Sequence, residues 1–183
     1  MLRFALFLVA SAAILPLSWR SLRDLHTHGF YRFFAFELLL ALILLNAPVW
    51  FLDPFSARQL AAWLLGAISI GLAIEGFRLL RVIGRPASTV VPSTNLTFEN
   101  TTTLVTVGAY RWIRHPLYAS LLALAWGAYL KSPLGIASIA LTLGASGFLT
   151  ATAIAEEREN LLRFGSVYAD YMNRTKRFVP FVF

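Results

Sequence analysis

The sequence predicts an all-α integral membrane protein with about five transmembrane helices and a C-terminal amphipathic helix. Three observations carry that expectation. Of the 183 residues, 58% are hydrophobic and 14% charged, whereas a soluble domain is nearer half apolar and a quarter charged. Mean hydropathy is +0.67, and the apolar residues fall in long runs. The basic residues gather in alternate connections between those runs. The length suits a single membrane domain, residues 1–183. Its N-terminal part, 1–83, holds three spans, and its C-terminal part, 84–183, holds a helical hairpin and the last helix. Cysteine is absent, which excludes disulfides, thiolate metal sites and cysteine nucleophiles. The net charge of +7 points to anionic lipid and to topology, with no nucleic acid partner.

The first apolar run is Leu2 to Leu17, the second Tyr31 to Leu52, the third Ala61 to about Ile83. Leu117 to Leu130 and Leu134 to Ala155 make the fourth and fifth. A spanning helix needs about 20 apolar residues, and about 17 at the low end, so the first and fourth need their flanks to complete them. Arg3, the first run and Ala10-Ser11-Ala12 also fit signal-peptide grammar, but no soluble stretch follows and the run reads as a span. Lys131-Ser132-Pro133 is a tight turn, so spans four and five pair as an antiparallel hairpin. Beyond Glu157, the residues Leu161, Phe164, Tyr168 and Tyr171 recur at helical spacing between basic residues. That pattern predicts an amphipathic helix on the membrane surface, with Phe178 to Phe183 dipping into the interface.

Thirteen of the sixteen basic residues flank the first connection, the third connection and the end of the fifth span. Positive loops stay cytoplasmic. The N-terminus is therefore expected outside and the C-terminus inside, in the inner membrane of a bacterium or archaeon. The sequons at Asn95, Asn100 and Asn173 then face the cytoplasm and read as chance.

Two segments carry chemistry. Gly108-Ala109-Tyr110-Arg111-Trp112-Ile113-Arg114-His115-Pro116-Leu117-Tyr118 starts span four, and Glu156-Glu157 ends span five. The hairpin brings them together. Pro116 suits the first turn of a helix, and the free N–H groups that follow, beside Arg114 and His115, attract an anion. Glu156 and Glu157 suit a cation or hydroxyls. Tyr110, Trp112 and Tyr118 offer faces for a base or a sulfonium. S-adenosyl-L-methionine carries all of these groups. Each segment alone also fits a plain membrane anchor or a solvated helix end; the pairing across a short hairpin favours a site.

Together with Phe164-Gly165-Ser166-Val167-Tyr168-Ala169-Asp170-Tyr171, these motifs resemble the isoprenylcysteine carboxyl methyltransferase and phospholipid methyltransferase superfamily of integral membrane methyltransferases. That superfamily shares Gly-x-Tyr-x-x-x-Arg-His-Pro-x-Tyr, then Glu-Glu, then Phe-Gly-x-x-Tyr-x-x-Tyr. The residues here are Gly108, Tyr110, Arg114, His115, Pro116, Tyr118, Glu156, Glu157, Phe164, Gly165, Tyr168 and Tyr171, and the likeness covers about residues 95–183. It implies a cytoplasm-facing S-adenosylmethionine site made by Thr102, Thr103, Leu104, Val105, Gly108, Tyr110, His115, Pro116, Leu117, Tyr118 and Glu156. Asn95 stands where carboxyl methyltransferases of the family place a cofactor-contacting Gln. Arg114, His115 and Glu157 are the expected catalytic residues. Many relatives have Pro at the place of Ala109 and Gly at the place of Ser120. Thr152 stands where the prenylcysteine enzymes carry an arginine for the acceptor carboxylate, so a neutral or amine-bearing lipophilic acceptor is expected from the bilayer.

No Gly-x-Gly-x-x-Gly follows a strand, so no Rossmann site is expected. Gly66, Gly71 and Gly76 do not share one helix face and suit local close packing. His26 and His28 lack a carboxylate at metal spacing and read as a solvated loop, so no metal is expected. Glu75 suits a helix-end ion pair with Arg78, and Glu37 the pocket. Two alternatives stand beside the methyltransferase: a nicotinamide-dependent reductase, since membrane sterol reductases resemble this C-terminal region, and a non-catalytic lipid-binding subunit.

Overall fold

A computed structural model describes residues 1–86, 101–132 and 135–182. The described residues fold as helices: α1 (Leu2–Ser18), α2 (His28–Asn46), α3 (Ala57–Val82), α4 (Pro116–Lys131), α5 (Ile136–Phe164) and α6 (Ser166–Arg174). Short 3-10 turns occupy Ser21–Arg23, Ala47–Val49 and Gly108–Arg111. Three of the helical stretches are long and apolar enough to cross a membrane: His28–Val49, Ala57–Val82 and Ile136–Phe164. At 17 and 16 residues, α1 and α4 are shorter, as their apolar runs imply.

Local chemistry sets the helix ends. The Ser56 hydroxyl accepts from Gln59 N–H and caps α3, satisfying one of its orphan donors. Pro116 opens α4 from its first position, where a missing N–H costs nothing. The fifth span does not end at Ala155. It runs through Glu-Glu-Arg-Glu-Asn-Leu-Leu-Arg, all but Asn good helix formers, and stops at Gly165, whose φ of +57° favours glycine. Its 29 residues reach about 44 Å at 1.5 Å per residue, longer than the roughly 30 Å hydrocarbon layer. About two and a half turns therefore project past the apolar part and carry Glu156, Glu157 and Asn160.

The expected hairpin forms, with α4 against α5, but each helix has a more extensive partner: α3 for α4, and α2 for α5. Small side chains let the helices approach. Ala35 on α2, Ala119 on α4 and Ala153 on α5 share one buried cluster with Leu149 and Tyr118. Gly76 is the close-packing glycine of α3, since a Cβ there would lie 3.0 Å from Leu117; Gly66 and Gly71 have open space beside them. At the end remote from the Glu pair, Gln59 accepts from Lys131 Nζ at 2.8 Å, and Asn46 donates to the Ala128 carbonyl. The turn residues Pro133 and Leu134 lie outside the described residues.

Four further expectations change. The apolar face of α6 does not meet lipid: Tyr168 and Tyr171 are buried in the protein, and so is Phe178. Phe178 packs in the cluster of Ile113, Tyr118 and Ala119. His28 is not solvated. It is 1% exposed, its Nδ1 lies 2.8 Å from Glu159 Oε2, and its N–H donates to Glu159 Oε1. Glu37 turns away from the pocket and accepts from the Ser11 hydroxyl of α1. Glu75 accepts from Ala109 N–H at 3.0 Å, so it fixes the motif loop.

Candidate functional site

The motif 108–118 is folded by three devices. Gly108 has a φ of +59°, and a Cβ there would lie 2.5 Å from Glu75 Oε1 and 2.7 Å from Leu79. Only glycine fits both the backbone and the space. Glu75 then holds the following N–H. Residues 112–115 run beside the C-terminal strap: Arg114 N–H donates to Lys176 O, His115 N–H to Arg177 O, and Lys176 N–H to Trp112 O. The motif and the chain end are thus one layer over the mouth of the helices.

Glu157 is the centre of that layer. Its Oε1 accepts from Arg114 Nε at 2.8 Å and from Arg177 Nε at 3.1 Å, and its Oε2 accepts from Arg177 Nη2 at 2.8 Å. Arg114 also donates through Nη1 to the carbonyls of Met172 and Thr175. The Glu157 bond holds the Arg177 guanidinium above its ordinary range. Both Glu157 oxygens are saturated by cations, and its side chain is 5% exposed. It does not reach the cavity surface.

Glu156 faces the other way, and His115 sits between the two glutamates. His115 is buried and stacks on Tyr118 with ring centroids 5.4 Å apart. Its Nδ1 lies 3.8 Å from Glu156 Oε2, and its Nε2 lies 3.3 Å from Glu157 Oε1 without hydrogen-bond geometry. Glu156 is 26% exposed.

Both residues line a cavity of about 490 Å³, within the range of small-molecule sites. One end is mixed, with Thr101, Leu104, Val105, Tyr110 and Arg114 from the loop before α4, Glu156, Asn160 and Phe164 from α5, and Tyr168 and Tyr171 from α6. Its apolar wall is Phe36 of α2, Ala73, Ile74, Phe77 and Leu80 of α3, and Leu117, Tyr118 and Leu121 of α4. Burial pushes the Tyr110 phenol well above its usual 10.0, and the nearby Glu156 charge pushes it further. Burial raises Tyr168 and Tyr171 as well. All three stay protonated at neutral pH. Tyr171 spends its proton on the Tyr110 carbonyl at 2.6 Å.

Of the residues expected from the sequence, Leu104, Val105, Tyr110, Arg114, His115, Leu117, Tyr118 and Glu156 come together here. Thr102 and Thr103 are exposed and bond back to Gly84 and Arg85. Gly108 lines a different cavity. Pro116 is buried toward Gly76, and Asn95 lies outside the described residues. No cluster among the described residues could hold a metal ion.

Arg32 was not legible as a site residue, yet it lines the cavity, 3% exposed, with Nη1 3.4 Å from His28 Nε2. It comes from α2, far in sequence from the motifs. Thr152, where a cation was sought, is wholly buried and donates to the Phe148 carbonyl. Asn160 and Phe164 follow Glu156 at helical spacing and could have been found from the full length of α5.

No curated protein matches the chain. Residues 78–163 match the model of the isoprenylcysteine carboxyl methyltransferase (ICMT) family, a stretch that runs from the end of α3 through the motif loop and α4 past the Glu pair to the last turn of α5. The match bears out the likeness read from the Gly108–Tyr118 motif and the Glu pair, and the segment that builds most of this cavity is similar to that of the isoprenylcysteine carboxyl methyltransferase family.

Proposed function

We propose that the chain transfers a methyl group from S-adenosylmethionine to a lipophilic acceptor that reaches the cavity from the bilayer, on the cytoplasmic side. The observation that carries this reading is the two-sided cavity: charged and aromatic groups at the membrane end of α4 and α5, and an apolar wall of α2, α3 and α4 directly below.

The residues fit the cofactor. The first N–H groups of α4 lack intrahelical partners and suit its carboxylate. Glu156 suits its ammonium or ribose hydroxyls. His115 lines the cavity beside Glu156, with its Nδ1 3.8 Å from Glu156 Oε2, and suits the polar end of the cofactor. Tyr110 and Tyr118 offer ring faces to a purine or a sulfonium. Bound there, S-adenosylmethionine supplies an electrophilic methyl group on a positively charged sulfur.

The chain's own work is placement and proton management. Positioning two reactants within about 3–3.5 Å supplies much of such a rate. An alcohol or protonated amine acceptor must lose a proton, and His115 is the group at the surface with a nitrogen to receive it. Glu157 is not, because both its oxygens are held by Arg114 and Arg177. We assign Glu157 and Arg114 to positioning: they tie His115 to the strap. Helices α2 and α3 share no extensive packing, and Ile74 of α3 is both cavity-lining and 65% exposed. The acceptor therefore passes between α2 and α3.

Arg32 favours a second reading of the acceptor. With no arginine at 152, a neutral or amine-bearing lipid is the first choice. A cation from α2 in the wall would instead suit an acceptor bearing a carboxylate or phosphate.

The test is thermal unfolding of the purified protein with S-adenosylhomocysteine or with a nicotinamide dinucleotide phosphate. Stabilisation by the first alone is expected; stabilisation by the second alone would replace this reading with a reductase, and by neither with a non-catalytic protein.

A further inference from the structure

A second cavity of about 690 Å³ opens on the outer side of the layer formed by the motif and the C-terminal strap. Arg111, Arg174 and Lys176 converge on it from three segments of chain, with Trp112 and Phe181 beside them. No carboxylate lines it, and none of the three cations forms an ion pair among the described residues. A cleft lined by one sign of charge focuses its field and concentrates the opposite charge. Two of the three are arginines, whose planar forks match phosphate oxygens. The charge is also paired with apolar surface. Arg111 sits 5.2 Å from the Trp112 ring, and Trp112 and Phe181 are 5.5 Å apart. Trp112 is 48% and Phe181 78% exposed, and Val179 and Val182 are exposed next to them.

A site for a free anion has no use for exposed tryptophan, phenylalanine and valine. A site at the bilayer interface does, because aromatic rings settle at headgroup level while basic side chains meet lipid phosphate. The groove lies at the end of the bundle where α5 leaves its apolar stretch, beside the charged end of the first cavity. We propose that this groove binds the phosphate of an anionic phospholipid headgroup, with Trp112 and Phe181 seated among the upper acyl carbons. The lipid so held would brace the strap: Lys176 and Arg114 are joined by a backbone hydrogen bond of 2.7 Å, so the same short segment borders both cavities.

The experiment is native mass spectrometry of the full chain in detergent, with phosphatidylglycerol or phosphatidylcholine added, and with inorganic phosphate as competitor. Each basic residue near a lipid surface is worth about 1 kcal/mol, and 1.4 kcal/mol is tenfold. The wild type is expected to retain phosphatidylglycerol about tenfold or more over phosphatidylcholine. The variant R111Q/R174Q/K176Q is expected to lose that preference, and the charge-matched R20Q/R23Q/R158Q, at exposed positions outside the groove, to keep it. Should the groove variant fail to fold, Lys176→Gln and Trp112→Ala alone are expected to lower the preference about threefold each. Equal loss in the charge-matched variant, no loss in the groove variants, or displacement of the lipid by millimolar phosphate would each overturn the proposal.

Discussion

Glu156 and Glu157 are adjacent in sequence and face opposite ways. One helical step turns Glu156 into the cavity and Glu157 into a cage of Arg114 and Arg177. The sequence showed the pair and the arginine that meets it, because a hairpin between two spans leaves few other places for them. The likeness gave Glu156 to the cofactor and Glu157 to catalysis; the cage around Glu157 was not legible, since it depends on the strap that brings Arg177 across from the chain end. The two roles predict different failures. Glu156→Gln is expected to weaken S-adenosylhomocysteine binding by about 1.5–3 kcal/mol, the range of a charge-assisted hydrogen bond, while leaving the fold intact; calorimetry reads it, and unchanged affinity removes Glu156 from the site. Glu157→Ala leaves two guanidinium groups largely buried without a counter-ion. Breaking a buried pair costs about 3–5 kcal/mol, so the thermal unfolding midpoint is expected to drop sharply before any question of activity arises. A variant as stable as the wild type but slow in turnover would return Glu157 to direct chemistry.

The spans were legible as elements because apolar runs of that length have one stable form in a bilayer. Their ends were less so. Helix α5 runs past its apolar stretch because charged residues are good helix formers, and hydropathy is blind to that. Helix α6 shows amphipathic spacing with either of two partners, lipid or protein; Tyr168 and Tyr171 are buried on protein, a choice that only the folded strap decides. The motif loop also depends on Gly108. Gly108→Ala places a Cβ against Glu75 Oε1 and Leu79 at a φ of +59°. A cost of about 1–3 kcal/mol is expected from the backbone alone, with the Glu75 bond to Ala109 N–H lost as well. The measurement is chemical or thermal unfolding in detergent, and an unaffected midpoint would show that the loop can relax without Glu75.

At the scale of the whole molecule, the site draws on two halves of the chain. The motifs lie in residues 108–171, but Arg32 and Phe36 arrive from α2 and Phe77 from α3. No spacing in the sequence announces a meeting such as that of His28 with Glu159, 131 positions apart; helix packing alone makes it. Orientation is the other global property. Thirteen of the sixteen basic residues flank alternate connections, so a reporter fused after Phe183 that works only outside the cytoplasm is expected to stay silent, and a strong signal would put the cavity on the wrong face for a cytosolic cofactor.

The central claim is methyl transfer at this cavity, and labelled S-adenosylmethionine tests it most directly. The purified protein is incubated with a total lipid extract from its own membrane and, separately, with a farnesylated cysteine analogue. Label is expected in the lipid fraction, and it is expected to vanish in His115→Ala and Glu156→Gln. Label in the cysteine analogue alone, lost in Arg32→Gln, would keep the enzyme and change the acceptor to an anionic one. No label in either acceptor, from a folded protein that binds S-adenosylhomocysteine, would contradict the account.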